Sequence, residues 1–190
     1  MDGYYDYGPR VVLERPIALI GFMGCRVAAT GYSVAAVTGL PYSEIDRLIE
    51  HRAGMSRSQL VLEQGRAALD ALEAELIDRA TAQRPPGLIV LGDGALLSPA
   101  AQQKLSQETT LVYIKRPLGI LFQEVRGQLQ RGQRSWPEFA LAPPDGIEEL
   151  RDLFEARRPG YERAAITLDG FDHHPRKVAD ALIERLGLLD

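Results

Sequence analysis

Four short apolar or β-branched runs punctuate the chain: Ile17–Ile20, Leu88–Leu91, Thr110–Ile114 and Ala165–Leu168. Each has the length of a buried strand. Around them lie helical patterns at Glu44–Arg52, Arg66–Ala82, Pro117–Gln130, Gly146–Arg157 and Pro175–Leu186. In the second of these, Leu69, Leu72, Leu76 and Ile77 recur at helical spacing and make one apolar face. Val27–Val37 follows the first run and is rich in small residues, which predicts a helix packed closely on a sheet. Strands alternating with helices predict an α/β three-layer sandwich, a parallel sheet covered on both faces. Ligands of such sheets sit beyond the carboxyl ends of the strands. That rule gathers the Gly21 turn, the Leu91–Gly94 turn and the Glu44–Asp46 segment around one cleft.

Composition narrows the picture. A chain of 190 residues fits one domain, expected over residues 15–190 behind a flexible arm at 1–14. The net charge of −4, with acids and bases interspersed, gives no nucleic-acid surface. The lone cysteine, Cys25, rules out an internal disulfide and suits a reducing compartment. The opening MDGYYDYGPR is acidic and aromatic, unlike a signal peptide, and no apolar run approaches the ~20 residues that span a bilayer. The expectation is a soluble, cytoplasmic protein with no membrane partner.

The candidate chemistry begins at Gly21-Phe22-Met23-Gly24-Cys25-Arg26, between the first strand and the small-residue helix. Strand, glycine turn and helix form the setting in which backbone N–H groups cradle phosphate. The full pattern is Gly, four residues, then Gly-Lys-Ser or Gly-Lys-Thr. Here Arg26 stands at the second glycine, Val27 at the lysine and Ala28 at the hydroxyl. A lysine there neutralises phosphoryl charge and the hydroxyl holds Mg²⁺, and neither valine nor alanine can do this. A plain strand-to-helix turn of an α/β protein would have the same outline.

Five segments in order resemble the shikimate kinases, small P-loop enzymes that phosphorylate a hydroxyl of a carboxylated cyclitol in aromatic amino acid biosynthesis. They are Ile20-Gly21-Phe22-Met23-Gly24; Glu44-Ile45-Asp46 with Ile49–Gly54; Leu91-Gly92-Asp93-Gly94-Ala95; Arg157-Arg158-Pro159-Gly160-Tyr161; and Pro175 at the head of the last helix. The resemblance covers roughly Pro16 to Leu188. It implies a five-stranded parallel sheet of the P-loop, nucleoside-monophosphate-kinase-like type, with a lid at about residues 117–145. It also implies ATP and Mg²⁺ as cofactors wherever transfer is retained. By the same resemblance Asp46 accepts the substrate hydroxyl's proton and Glu44 lies near the metal. Gly92, Asp93, Gly94 and Arg157 would face the substrate, Arg157 as a ligand of its carboxylate, and Glu73 would orient its neighbours. Gly21, Gly24, Arg26 and Pro175 would mark a vestigial nucleotide site.

Departures concentrate at that chemistry. A family arginine that pairs with the substrate carboxylate aligns with Asp70, a charge reversal. The lid arginine before a proline is replaced by Trp136, in Arg134-Ser135-Trp136-Pro137, and the middle glycine of a Gly-Gly-Gly turn has become Asp93.

Each residue also has a plainer reading. Glu44 and Asp46 suit a helix start and Arg157 a helix end. Glu73 reads as a solvated or locally paired acid, and Asp70 can pair with Arg66 one turn away. His173 and His174 beside Asp172 read as surface residues rather than a metal site. Cys25 beside Arg26 at a helix N-terminus has the setting that lowers a thiol pKa, but also suits a packed, inert thiol.

Losing one preorganised donor costs about 10²–10³ in rate. The chain is therefore read as a catalytically inactive pseudokinase, with no cofactor and an unknown small-molecule or protein partner. The alternative is a divergent small-molecule kinase, its pocket altered by Asp70 and Asp93 to take a neutral or cationic substrate.

Overall fold

Ile17–Ile20 is buried at every position and forms β1, the central strand of the sheet. The computed structural model describes residues 11–131, 146–170 and 174–189. Around β1 stand β2 (Tyr42–Glu44), β3 (Leu88–Val90), β4 (Thr110–Lys115) and β5 (Ile166–Asp169), in the spatial order β2-β3-β1-β4-β5. All pairings are parallel, and Leu19 is in register with Val90 on one side and Val112 on the other. The central strands are unbroken apolar runs because both their faces are covered. This is the five-stranded parallel α/β sheet that the sequence led us to expect.

Helix α1 (Val27–Thr38) leads from β1 to β2. Three helices, α2 (Ile45–Ala53), α3 (Arg57–Gln64) and α4 (Arg66–Ala82), lead from β2 to β3. A 3₁₀ turn at Ala95–Leu97 and α5 (Pro99–Glu108) reach β4; α6 (Leu118–Gln130) and α7 (Ile147–Tyr161) reach β5; α8 (Pro175–Leu186) closes the chain. Two of these helices and one strand carry no clear periodic signal. Edge strand β2 is three half-buried residues, and Glu44 both ends it and stands as the N-cap residue of α2. Helix α3 is set by a capping box between Ser56 and Gln59, and α5 by the Ser98 cap with Pro99 in its first turn. Helix α7 runs past Arg157 through Pro159 to Tyr161.

The connections reverse direction once. From β1 the chain moves outward to β2, whereas β2 to β3, β3 to β4 and β4 to β5 all advance the other way. Right-handed crossovers then put α1 on one face and α4 and α5 on the other, with α8 packed against α1. The switch lies between β1 and β3, where such folds open a crevice. Helix α1 approaches the sheet closely there: a Cβ on Gly31 would stand 2.6 Å from Val90 Cγ2.

The buried cluster extends from Val11 to Leu188. Val11 itself is 8 % exposed and Leu13 packs on the core, so the expected loose arm is already anchored at residues 11–13. Residues 1–10 and most of the expected lid, including Arg134, Trp136 and Pro137, lie outside the described residues; so do Asp172 and His173. Among the described residues no helix is long and apolar enough to cross a membrane.

Candidate functional site

The turn after β1 is held from within. Cys25 N donates to Phe22 O at 2.9 Å, and Arg116, beyond the end of β4, donates from Nη1 to Gly24 O at 2.8 Å. Phe22, Met23 and Cys25 are buried, and Val27 opens α1 with its side chain in the core. Arg26 is exposed and stands in the left-handed region at φ 58° and ψ 36°. The second-glycine position thus keeps a backbone that suits glycine while carrying an arginine.

Beyond the turn lies a cavity of about 230 Å³ bordered by Gly21, Gly24, Arg26, Val27, Glu44, Asp46 and Asp93. The structure therefore gathers at the β1–β3 crevice most of what the sequence assigned there. Glu44 accepts a hydrogen bond from Tyr42 Oη at 3.0 Å. Asp46, in the first turn of α2, faces Arg57 of α3 at 2.8 Å. Gly92 leaves room for the Asp46 carboxylate, since a Cβ there would stand 2.5 Å from Asp46 Oδ1 and displace it. Arg57 is the functional neighbour that sequence reading missed; its only local signal is its position directly after the Ser56 cap.

A triphosphate with Mg²⁺ needs a cation and a hydroxyl at the head of α1, and the side chains there are Val27 and Ala28. The frame of the cradle is present without the lysine and the hydroxyl, and the cation beside it is the exposed Arg26. Among the described residues no group of three His, Cys, Asp or Glu side chains is arranged to hold a metal ion. His174 caps α8 instead, accepting from Arg176 N at 3.3 Å. Pro175 is buried in the first turn of α8 and does not border the cavity at the Gly21 turn.

Asp93 and Arg157 form a buried ion pair. Arg157 Nη1 donates to Asp93 Oδ2; the two residues are 3 % and 8 % exposed. The guanidinium also lies over the Phe22 ring, 5.5 Å from its centroid. Tyr161 Oη donates to the Asp93 backbone carbonyl at 2.5 Å, and its ring stacks on Tyr113. The plainer reading of Arg157, a cation complementing a helix end, gives way to this pair. The cation that the resemblance assigns to a substrate carboxylate already holds a carboxylate of its own chain.

Asp70 and Gly94 do not join this group. They border a second cavity, of about 470 Å³, between α4 and the 3₁₀ turn leading into α5. There Asp70 pairs with Arg66 at 2.7 Å, the (i, i+4) contact expected. Glu73, one turn further along α4, departs from its expectation as a solvated acid. Burial pushes its carboxyl up to about 7, the nearby Asp46 adds to the rise, and Arg57 and Arg66 oppose it. Cys25 follows the packed, inert reading. Burial raises its thiol to about 12, and Arg116 offsets this only in part, so the helix N-terminus does not activate it.

These features have known relatives. The shikimate kinase family model matches residues 23–187. The chain is 31 % identical over 170 residues to the shikimate kinase of Salinibacter ruber, covering 88 % of this chain and 82 % of that protein. It is 32 % identical over 149 residues to that of Symbiobacterium thermophilum, covering 78 % and 82 %. Shikimate kinase from Acinetobacter baumannii, solved in complex with shikimate, superposes with a TM-score of 0.79 at 22 % identity, over 90 % of this chain and 92 % of that one. With the family's segments in order and its sheet in place, the chain belongs to the shikimate kinase family.

Proposed function

We propose that this chain is a cytoplasmic member of the shikimate kinase family that binds a ligand in its cleft without transferring phosphate to it. The observation that carries the reading is the head of α1. Val27 and Ala28 stand where charge and hydroxyl are needed; of the two arginines at the turn, Arg116 is engaged by Gly24 O and Arg26 is exposed at the rim of the cavity, one position before the place of the lysine. Phosphoryl transfer is catalysed almost wholly by positioning and charge stabilisation, and each lost donor removes about 10²–10³ in rate. The Asp93–Arg157 pair supports the same reading from the substrate side, because an anionic substrate meets a cation that is already neutralised.

The test is a thermal unfolding and calorimetric titration with ATP·Mg²⁺. The expected result is no heat and no shift in Tm at millimolar nucleotide. A ligand present at a hundredfold excess over its Kd stabilises the fold by about 2.7 kcal/mol. A rise of that size would overturn the proposal.

A second reading has its own support. Asp46 is retained at the cleft and the family match runs nearly the length of the chain. This reading is a kinase acting on a neutral or cationic substrate hydroxyl. It requires Mg²⁺-dependent ADP formation that Asp46→Asn abolishes.

A further inference from the structure

The larger cavity, between α4 and the 3₁₀ turn before α5, has a charge count that does not close. Its apolar floor includes Ala74, Ile77, Ala95 and Leu97. Two of its three carboxylates are paired within the chain: Asp70 with Arg66 at 2.7 Å, and Asp78 with Lys104 at 3.2 Å. Lys104 is held a second time, by Glu108 at 3.0 Å. The third carboxylate, Glu73, has no ion pair among the described residues. The two cations of the lining, Arg66 and Lys104, are both committed elsewhere. At about 470 Å³ the cavity is in the size range of pockets that enclose small organic molecules.

We propose that this cavity binds a small organic cation, a primary ammonium or guanidinium on a compact apolar body, with Glu73 as its counter-ion. The apolar floor takes the body, and the charged head completes the pairing that the chain leaves open. A carboxylate ligand is rejected here, because it would bring a fourth acid to the site. The inference goes beyond the reading of the cleft, since this cavity shares no lining residue with it, and it does not depend on whether phosphate is transferred. The groups facing Glu73 are Asp46 of α2, Arg57 of α3, and Arg66 and Asp70 of its own helix. Ionisation of Glu73 near pH 7 is what a bound cation would drive and what acid would reverse.

Three isosteric probes test it: benzylamine, benzyl alcohol and benzoate, titrated into the full chain by calorimetry and amide NMR at pH 8.0. The expected result is binding of benzylamine with shifts at Glu73, Ala74 and Leu97. Benzyl alcohol binds at least tenfold more weakly, and benzoate does not bind. At pH 5.5 benzylamine weakens by tenfold or more as Glu73 takes up a proton. Glu73→Gln removes the preference for the amine. Ala74→Phe, at an exposed position that borders the cavity, blocks the amine and the alcohol without touching the core. Equal binding of amine and alcohol, tighter binding of benzoate, an unchanged preference in Glu73→Gln, or no amine binding at 10 mM would each overturn the proposal. None of these readouts involves ATP, so the loss of this inference and the discovery of phosphoryl transfer are separate outcomes.

Discussion

Arg157 of α7 holds the Asp93 carboxylate from Nη1, and both side chains are withdrawn from solvent. The turn after β3 is thereby fastened to the far end of the chain by a charge pair. The resemblance assigns Arg157 to a substrate carboxylate, and in this chain it holds the carboxylate of Asp93.

Breaking the pair on one side should be costly. Asp93→Asn takes the Asp93 charge away from the buried guanidinium, and removing one partner of a buried pair costs about 3–5 kcal/mol. The double variant Asp93→Leu with Arg157→Met should recover most of that loss. Urea unfolding with unchanged m-values would measure both. A loss in Asp93→Asn under 1 kcal/mol would show that the pair contributes little.

The left-handed backbone at Arg26 makes an opposite prediction. A non-glycine residue there costs about 1 kcal/mol, part of which glycine returns through the entropy of the unfolded chain. Arg26→Gly should therefore raise stability by about 0.5–1 kcal/mol, seen as a higher Tm. A fall in Tm would mean that the arginine side chain contributes more than its backbone costs.

Glu73 sets a pH dependence with a definite sign. Its carboxyl titrates near 7 in the folded chain, above the ordinary carboxylate value of 4.5. Between these values the folded state binds more protons than the unfolded one. Stability should therefore fall as pH rises from about 4.5 to about 7 and level off above. Glu73→Gln should abolish the fall, leaving the variant more stable above pH 7 by about 3 kcal/mol at most. Denaturation midpoints at pH 5, 6, 7 and 8 check the slope.

Cys25 should be chemically silent in the folded protein. With its thiol pushed up to about 12, thiolate at pH 8 is about one part in ten thousand. Iodoacetamide should label it only after denaturation. Rapid labelling of the native chain would restore the reactive reading.

The alternation of apolar runs with helical patterns made the sheet readable, because Ile17–Ile20 and Thr110–Ile114 carry both their burial and their length in the sequence. Edge strand β2 escaped notice because Tyr42, Ser43 and Glu44 are half-buried and show no apolar run. Helix α3 escaped because its definition lies in a cap, not in a periodic face. At the site, the turn, Asp46 and Asp93 were legible from order along the chain. Their partners were not, since Arg157 lies 64 positions from Asp93, and no local rule predicts that one will neutralise the other. Arg57 was missed for the same reason. Glu73 looked like a surface acid because an exposed helix face and the wall of a cavity have the same spacing.

Phe22, Met23, Cys25 and Val27 bury the inner side of the turn, and Arg116 ties it down from β4. A loop built this way is ordered by the interior and needs no guest to complete it. The molecule's resistance to heat and to proteases should then be indifferent to the energy charge of the cell, rising and falling with acidity rather than with adenine nucleotides.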